Sequence, residues 1–90
     1  MKKYVVEREI PGVEGLCGDA LRGAAATSND ALAKLAPRVQ WLESFVTKDK
    51  TFCIYLAESE EAVQEHARLS GFPANKVSEI ARVIDPTTAN

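Results

Sequence analysis

The stretch Val39-Gln40-Trp41-Leu42-Glu43-Ser44-Phe45-Val46-Thr47-Lys48-Asp49-Lys50-Thr51-Phe52-Cys53-Ile54-Tyr55-Leu56-Ala57-Glu58 decides the fold. Two runs rich in β-branched and aromatic residues, Val39 to Thr47 and Thr51 to Glu58, flank the short polar segment Lys48-Asp49-Lys50, which is the pattern of a β-hairpin. Pairing Val46 with Phe52 places Leu42, Ser44 and Val46 on one face with Phe52, Ile54 and Leu56, and that face suits packing against helices. The opposite face then carries Trp41, Glu43, Phe45, Cys53 and Tyr55. So many aromatic residues on an open sheet face would form a sizeable apolar patch, and such patches mark partner or ligand surfaces. A homodimer through the open sheet face is the expectation.

Outward from the hairpin, Lys3 to Glu9 is a run of strand formers closed by Pro11-Gly12, a first strand. Asp19 can cap a helix in which Leu21, Ala24, Ala25, Ser28, Ala31, Leu32 and Leu35 recur at helical spacing until Pro37 stops it. Gly23 and Thr27-Ser28-Asn29-Asp30 weaken its middle and point to a break near Asn29. Downstream, Ser59 to Ser70 opens with the acidic pair Glu60 and Glu61, carries the face Ala62, Val63, His66 and Ala67, and stops at Gly71. Val77 to Ile84 reads as a last strand ended by Pro86, with a helical start at Asn75 as the alternative. Thr87 to Asn90 is a tail. The order is βαββαβ, a ferredoxin-like α+β domain: a four-stranded antiparallel sheet with both helices on one face.

Ninety residues suit one domain, 1–90, and a chain of this size often adds to its buried surface by association. The formal net charge is -2 with acids and bases interspersed, so no basic stripe is available for nucleic acid and no polybasic segment for a membrane surface. Glu7 and Arg8 interrupt the apolar run after Lys2-Lys3, which removes a signal peptide from consideration, and no run approaches a membrane span. Cys17 and Cys53 lack metal or redox spacing and are expected to stay reduced in the cytoplasm.

Several segments together resemble a small bacterial family described as nickel-binding or of unknown function. They are Val5-Val6-Glu7-Arg8, Trp41 to Thr47, Asp49 to Tyr55, Glu65-His66-Ala67, Gly71-Phe72-Pro73 and Val83-Ile84-Asp85-Pro86-Thr87-Thr88. The resemblance implies a ferredoxin-like fold that dimerises into an α+β barrel, a polar-lined cavity between the two sheets, and a divalent transition metal, with nickel the one named for the family. Some members carry histidine where this chain has Glu43. His66 is the only imidazole here, so a metal set would be mixed: His66 with Glu43 and Cys53, or two copies of His66 meeting across the dimer.

The candidate residues each have a structural alternative. His66 lies on the inward face of its helix, where a buried imidazole needs a hydrogen-bond partner or a metal. Glu43, flanked by Trp41 and Phe45, could serve as a general base or form an ion pair with Arg8 or Arg82. Arg8 is a candidate anion anchor. Tyr55 is expected beside Glu43, as a proton donor or an interface tether. Trp41 and Phe45 line a cavity or interface, and Asn29 lines the pocket or caps a break. Cys53 is a thiolate ligand or a buried small hydrophobe. Three functions follow: a small divalent-metal-binding protein with its site between the sheets of a dimer; a cofactor-free cavity enzyme of isomerase or oxygenase type, with Glu43 as base, Tyr55 or His66 as acid and Arg8 anchoring an acidic substrate; or a structural or ligand-carrying dimer.

Overall fold

The computed structural model describes all 90 residues. In chain order they form β1 (Lys2–Glu9), α1 (Asp19–Leu35), β2 (Val39–Val46), β3 (Lys50–Ala57), α2 (Glu60–Ser70) and β4 (Lys76–Ile80), with single 3-10 turns at Val13–Gly15 and Pro86–Ala89. The strands make one antiparallel sheet in the order β2-β3-β1-β4. This is the ferredoxin-like α+β arrangement, with β1 and β3 central.

Local chemistry places the helix ends. The Ser59 hydroxyl accepts from the Ala62 amide at 3.2 Å and starts α2, while Gly71, at φ 78°, closes it in the left-handed conformation with its amide on the Ala67 carbonyl. The expected break in α1 does not occur. Thr27 turns its hydroxyl back to the Gly23 carbonyl at 3.0 Å, Ser28 points inward, and Asn29 and Asp30 stand in solvent, so the polar run costs propensity without opening the helix. The last strand is shorter than Val77 to Ile84. Its final partner is Lys3 opposite Ile80, and β1 starts at Lys2, so residues further on have almost no strand left to pair with. They are exposed, Val83 and Ile84 included, and Asp85 then caps the terminal turn through the Thr87 and Thr88 amides.

The hairpin forms where expected but in another register. Val46 opposes Thr51, not Phe52, and a bulge at Leu42 lies between the pairs Trp41–Tyr55 and Glu43–Ile54. A one-residue change of register exchanges the faces of a strand. The row Thr51, Cys53, Tyr55 and Ala57 therefore faces the helices and is buried, with Tyr4, Val6 and Arg8 of β1 opposite it. Phe52, Ile54 and Leu56 occupy the open face, contrary to the expectation. On β2 the bulge divides the strand. Trp41 faces inward with Tyr55, Ser44 and Val46 face inward with Cys53 and Thr51, and Glu43 and Phe45 point to the open side. The core is a cluster in which Tyr4, Val6, Val39 and Tyr55 of the sheet pack with Val63 of α2 and Leu35 at the end of α1, all buried.

Candidate functional site

The helix-facing side of the sheet is not filled evenly. Ser28, Ala31 and Leu35 are buried in the second half of α1, whereas Leu21, Ala24 and Ala25 in its first half stop short of the sheet. A cavity of about 540 Å³ lies beneath them. Its floor is Arg8, Trp41, Ser44, Thr51, Cys53 and Tyr55; its roof is Leu21, Ala24, Ala25 and Ser28; Phe72-Pro73 and the Ile10–Leu16 segment close the sides. The volume falls within the range of small-molecule sites, and a mainly apolar lining with a few converging polar groups is their usual make-up.

Arg8 is the charged group of the floor, 2% exposed. One Nη1–H donates to the Pro73 carbonyl, Nη2 donates to the Tyr55 hydroxyl at 3.2 Å, and the guanidinium carbon lies 5.9 Å from the Phe72 ring centroid. None of the ion pairs of the chain includes Arg8. Tyr55 also packs its ring 5.2 Å from the ring of His66. Burial raises the Tyr55 phenol above its ordinary value, against the pull of Arg8, so the hydroxyl stays protonated. His66, fully buried, shares a 3.2 Å hydrogen bond between Nε2 and the Ser28 hydroxyl, and its Nδ1 has no partner. Burial first, and then the positive charge of Arg8, hold the imidazole below its ordinary pKa, so it is neutral at pH 7. The Cys53 thiol reaches the Thr51 hydroxyl at 3.6 Å.

The structure thus brings Arg8, Trp41, Cys53 and Tyr55 together around one cavity, with His66 behind Tyr55. Glu43 is elsewhere. It projects from the opposite face of the sheet, so it pairs with neither Arg8 nor Tyr55, and the proposed base and its proton donors are separated by the sheet. For the same reason Glu43, Cys53 and His66 do not assemble around one point within a protomer. No cluster of three His, Cys, Asp or Glu side chains has ligand geometry. His66 is sealed on the helix side, so a dimer formed through the open face would keep its two copies apart. Phe45 is 54% exposed on the open face and Asn29 lies in solvent, so neither lines the cavity. The cavity itself lies inside one protomer, beneath α1.

Sequence reading passed over Ser28, Ser44 and Thr51, and gave no weight to the two alanines of the roof. Ser28 does sit in the helical series Leu21, Ala24, Ala25, Ala31, and a hydroxyl on an otherwise apolar face was the available signal.

Fold and site define the class: a ferredoxin-like α+β protein with an apolar pocket and one buried cation between its first helix and its sheet. More narrowly, the chain belongs to the family described as nickel responsive protein SCO4226-like, whose profile matches residues 4–80. It is similar to SCO4226 of Streptomyces coelicolor A3(2), known from a crystal structure, with a TM-score of 0.76 over 91% of this chain and 99% of that one. Identity between the two is 16%, so this likeness concerns the fold. No curated protein matches the chain.

Proposed function

We propose that the chain is a small-molecule-binding member of the nickel-responsive family, carrying its ligand in the pocket beneath α1. The observation behind this reading is the cavity of about 540 Å³ left where α1 presents alanines to the sheet. A core is normally filled to crystal-like density, and a space this large is lined for occupancy, with hydroxyls and a cation spaced around apolar walls. The test is titration with the neutral fluorescent probe N-phenyl-1-naphthylamine, comparing the wild type with Ala24→Leu/Ala25→Leu. Binding that weakens at least tenfold in the variant is the expected result. Equal affinity would put the probe elsewhere and end the pocket reading.

Two copies are proposed to meet through the open face, where Val5, Phe45, Phe52, Ile54, Leu56 and Ile80 form an apolar surface bordered by the Glu7–Lys50 ion pair. The cytoplasm is the proposed compartment and suits the free thiols of Cys17 and Cys53. No helix is long and apolar enough to cross a membrane.

Nickel is implied by the family description, and the residues of one protomer do not fit a resident nickel centre. The buried Nδ1 of His66 is an available donor, but Nε2 is engaged by Ser28, the nearby charge is the cation Arg8, and Glu43 lies across the sheet. A divalent ion needs more donors than this and no adjacent positive charge. Untagged protein purified from cells and analysed by elemental mass spectrometry is expected to hold nickel well below one ion per chain. Stoichiometric nickel that survives dialysis would overturn this and direct attention to the face where Glu43 lies.

A further inference from the structure

The pocket holds one formal charge that nothing in the chain balances. Arg8 is 98% removed from solvent, yet its partners are a carbonyl and a phenol, both neutral. A guanidinium has five N–H donors, and a buried charge is normally paired with an opposite one. The carboxylate at the rim, Glu9, is exposed and does not pair with it. The group is held ready rather than left loose: Pro73 fixes one end of the fork, Tyr55 the other, and the Phe72 ring supports it. Tyr55 accepts from Arg8 and keeps its own hydroxyl hydrogen, which lies by the Cys53 thiol and can turn to donate to whatever Arg8 binds. The rest of the wall offers hydroxyls, a thiol, apolar carbon and, at the rim, the Glu9 carboxylate, with no second cation.

We infer that the ligand is an organic monoanion, a carboxylate on an apolar body, with its carboxylate on Arg8 and Tyr55 and its body between Leu21, Ala25 and Trp41. This rests on the pocket reading above and adds the chemistry of the headgroup. A bidentate guanidinium–carboxylate contact would supply the missing charge and use N–H donors that Pro73 and Tyr55 leave unoccupied. A dianion such as a phosphate monoester would bring a charge that one guanidinium does not match. A polar body would leave its hydrogen-bonding groups unmet against the alanine roof.

Trp41 is the sole tryptophan and lines the cavity, so its emission reports occupancy without a label. Decanoate and 1-decanol, which share chain length and differ in charge, are titrated separately below their aggregation thresholds. Decanoate is expected to bind the wild type about tenfold to a hundredfold more tightly, the range of hydrogen bonds to a charged group. In Arg8→Met, with folding checked by circular dichroism, the preference is expected to vanish while 1-decanol binding persists. Should Arg8→Met not fold, Tyr55→Phe takes its place, with a smaller fall in the ratio expected. Equal binding of the two compounds by the wild type would overturn the monoanion while leaving the pocket in place. A preference for decanoate retained in the folded variant would remove Arg8 from the headgroup site. Failure of both compounds to bind would remove the pocket reading itself, and this inference with it.

Discussion

Replacing Ala25 by leucine should stabilise the protein, contrary to the usual effect of enlarging a side chain in a small domain. Ala25 is half-buried and faces the cavity, so the larger side chain enters empty space. Three added carbons would contribute about 2.4 kcal/mol if fully buried, at about 0.8 kcal/mol each. The cavity mouth leaves about half of that realised, and lost rotamer freedom removes roughly a further 0.5 kcal/mol. A net gain of roughly 0.5–1 kcal/mol remains, after a slight loss of helix propensity. For a chain of this size that gain raises the melting temperature by about 2–6 °C, and the Ala24→Leu/Ala25→Leu double variant by about twice as much. Thermal unfolding followed by far-ultraviolet circular dichroism reads the shift directly. In a fully packed site the same change would force rearrangement and cost about 1–3 kcal/mol. A fall in melting temperature would therefore refute the claim that this space is open in solution.

Arg8→Met loses hydrogen bonds worth about 1.5–3 kcal/mol but also a buried charge whose desolvation costs several kcal/mol. The variant should match or exceed the wild type in urea unfolding, and a loss above about 3 kcal/mol would make Arg8 a structural anchor. His66, the sole imidazole, should titrate below 6.5 when followed by NMR, and its midpoint should rise when decanoate offsets the charge of Arg8. Because the folded imidazole resists protonation more than the unfolded one, its contribution to stability is complete above about pH 6.5 and declines as pH falls below it. In urea titrations, His66→Gln should lack that decline, and an unchanged pH profile would contradict the assignment. Phe45→Glu on the open face should halve the mass measured by sedimentation at micromolar concentration and leave Trp41 emission unchanged. A wild type that already sediments near 9.8 kDa would end the dimer proposal.

The order of elements was legible in the sequence because apolar periodicity changes sharply at Pro11-Gly12, Pro37 and Gly71. The faces of the hairpin were not. Along β3 both alternating rows are apolar, so hydrophobicity could not choose between Thr51-Cys53-Tyr55-Ala57 and Phe52-Ile54-Leu56. Size favours the larger row inward, whereas the space under α1 takes the smaller one. The bulge at Leu42 has no mark in composition, since neither glycine nor proline accompanies it, and it alone decides that Trp41 shares a face with Ser44, whose hydroxyl accepts the indole N–H at 2.9 Å. Arg8 is a candidate by residue type alone, read beside Glu43, and the structure turns it to the other face, at the end of the inward series Tyr4, Val6, Arg8. The cavity was not legible, because it arises from what Ala24 and Ala25 lack. The polar run in α1 misled for a related reason: spacing does not show that Ser28 finds His66 while Asn29 and Asp30 remain in solvent.

The two halves of α1 differ in how firmly they are held, and this bears on how a ligand would enter. Apart from Trp41 and Ser44 on the edge strand β2, the floor of the pocket belongs to β1 and β3, the central strands, whose amides are the best protected of the sheet and should exchange with solvent mainly on global unfolding. The second half of α1 is fastened through Ser28, Ala31 and Leu35, while the turns from Asp19 to Thr27 bury no residue completely. Those first turns can lift by local fraying with the sheet intact, so the lifetime of a bound molecule would be set by the opening of two turns of helix, and the amides of residues 19–27 would slow their exchange on binding.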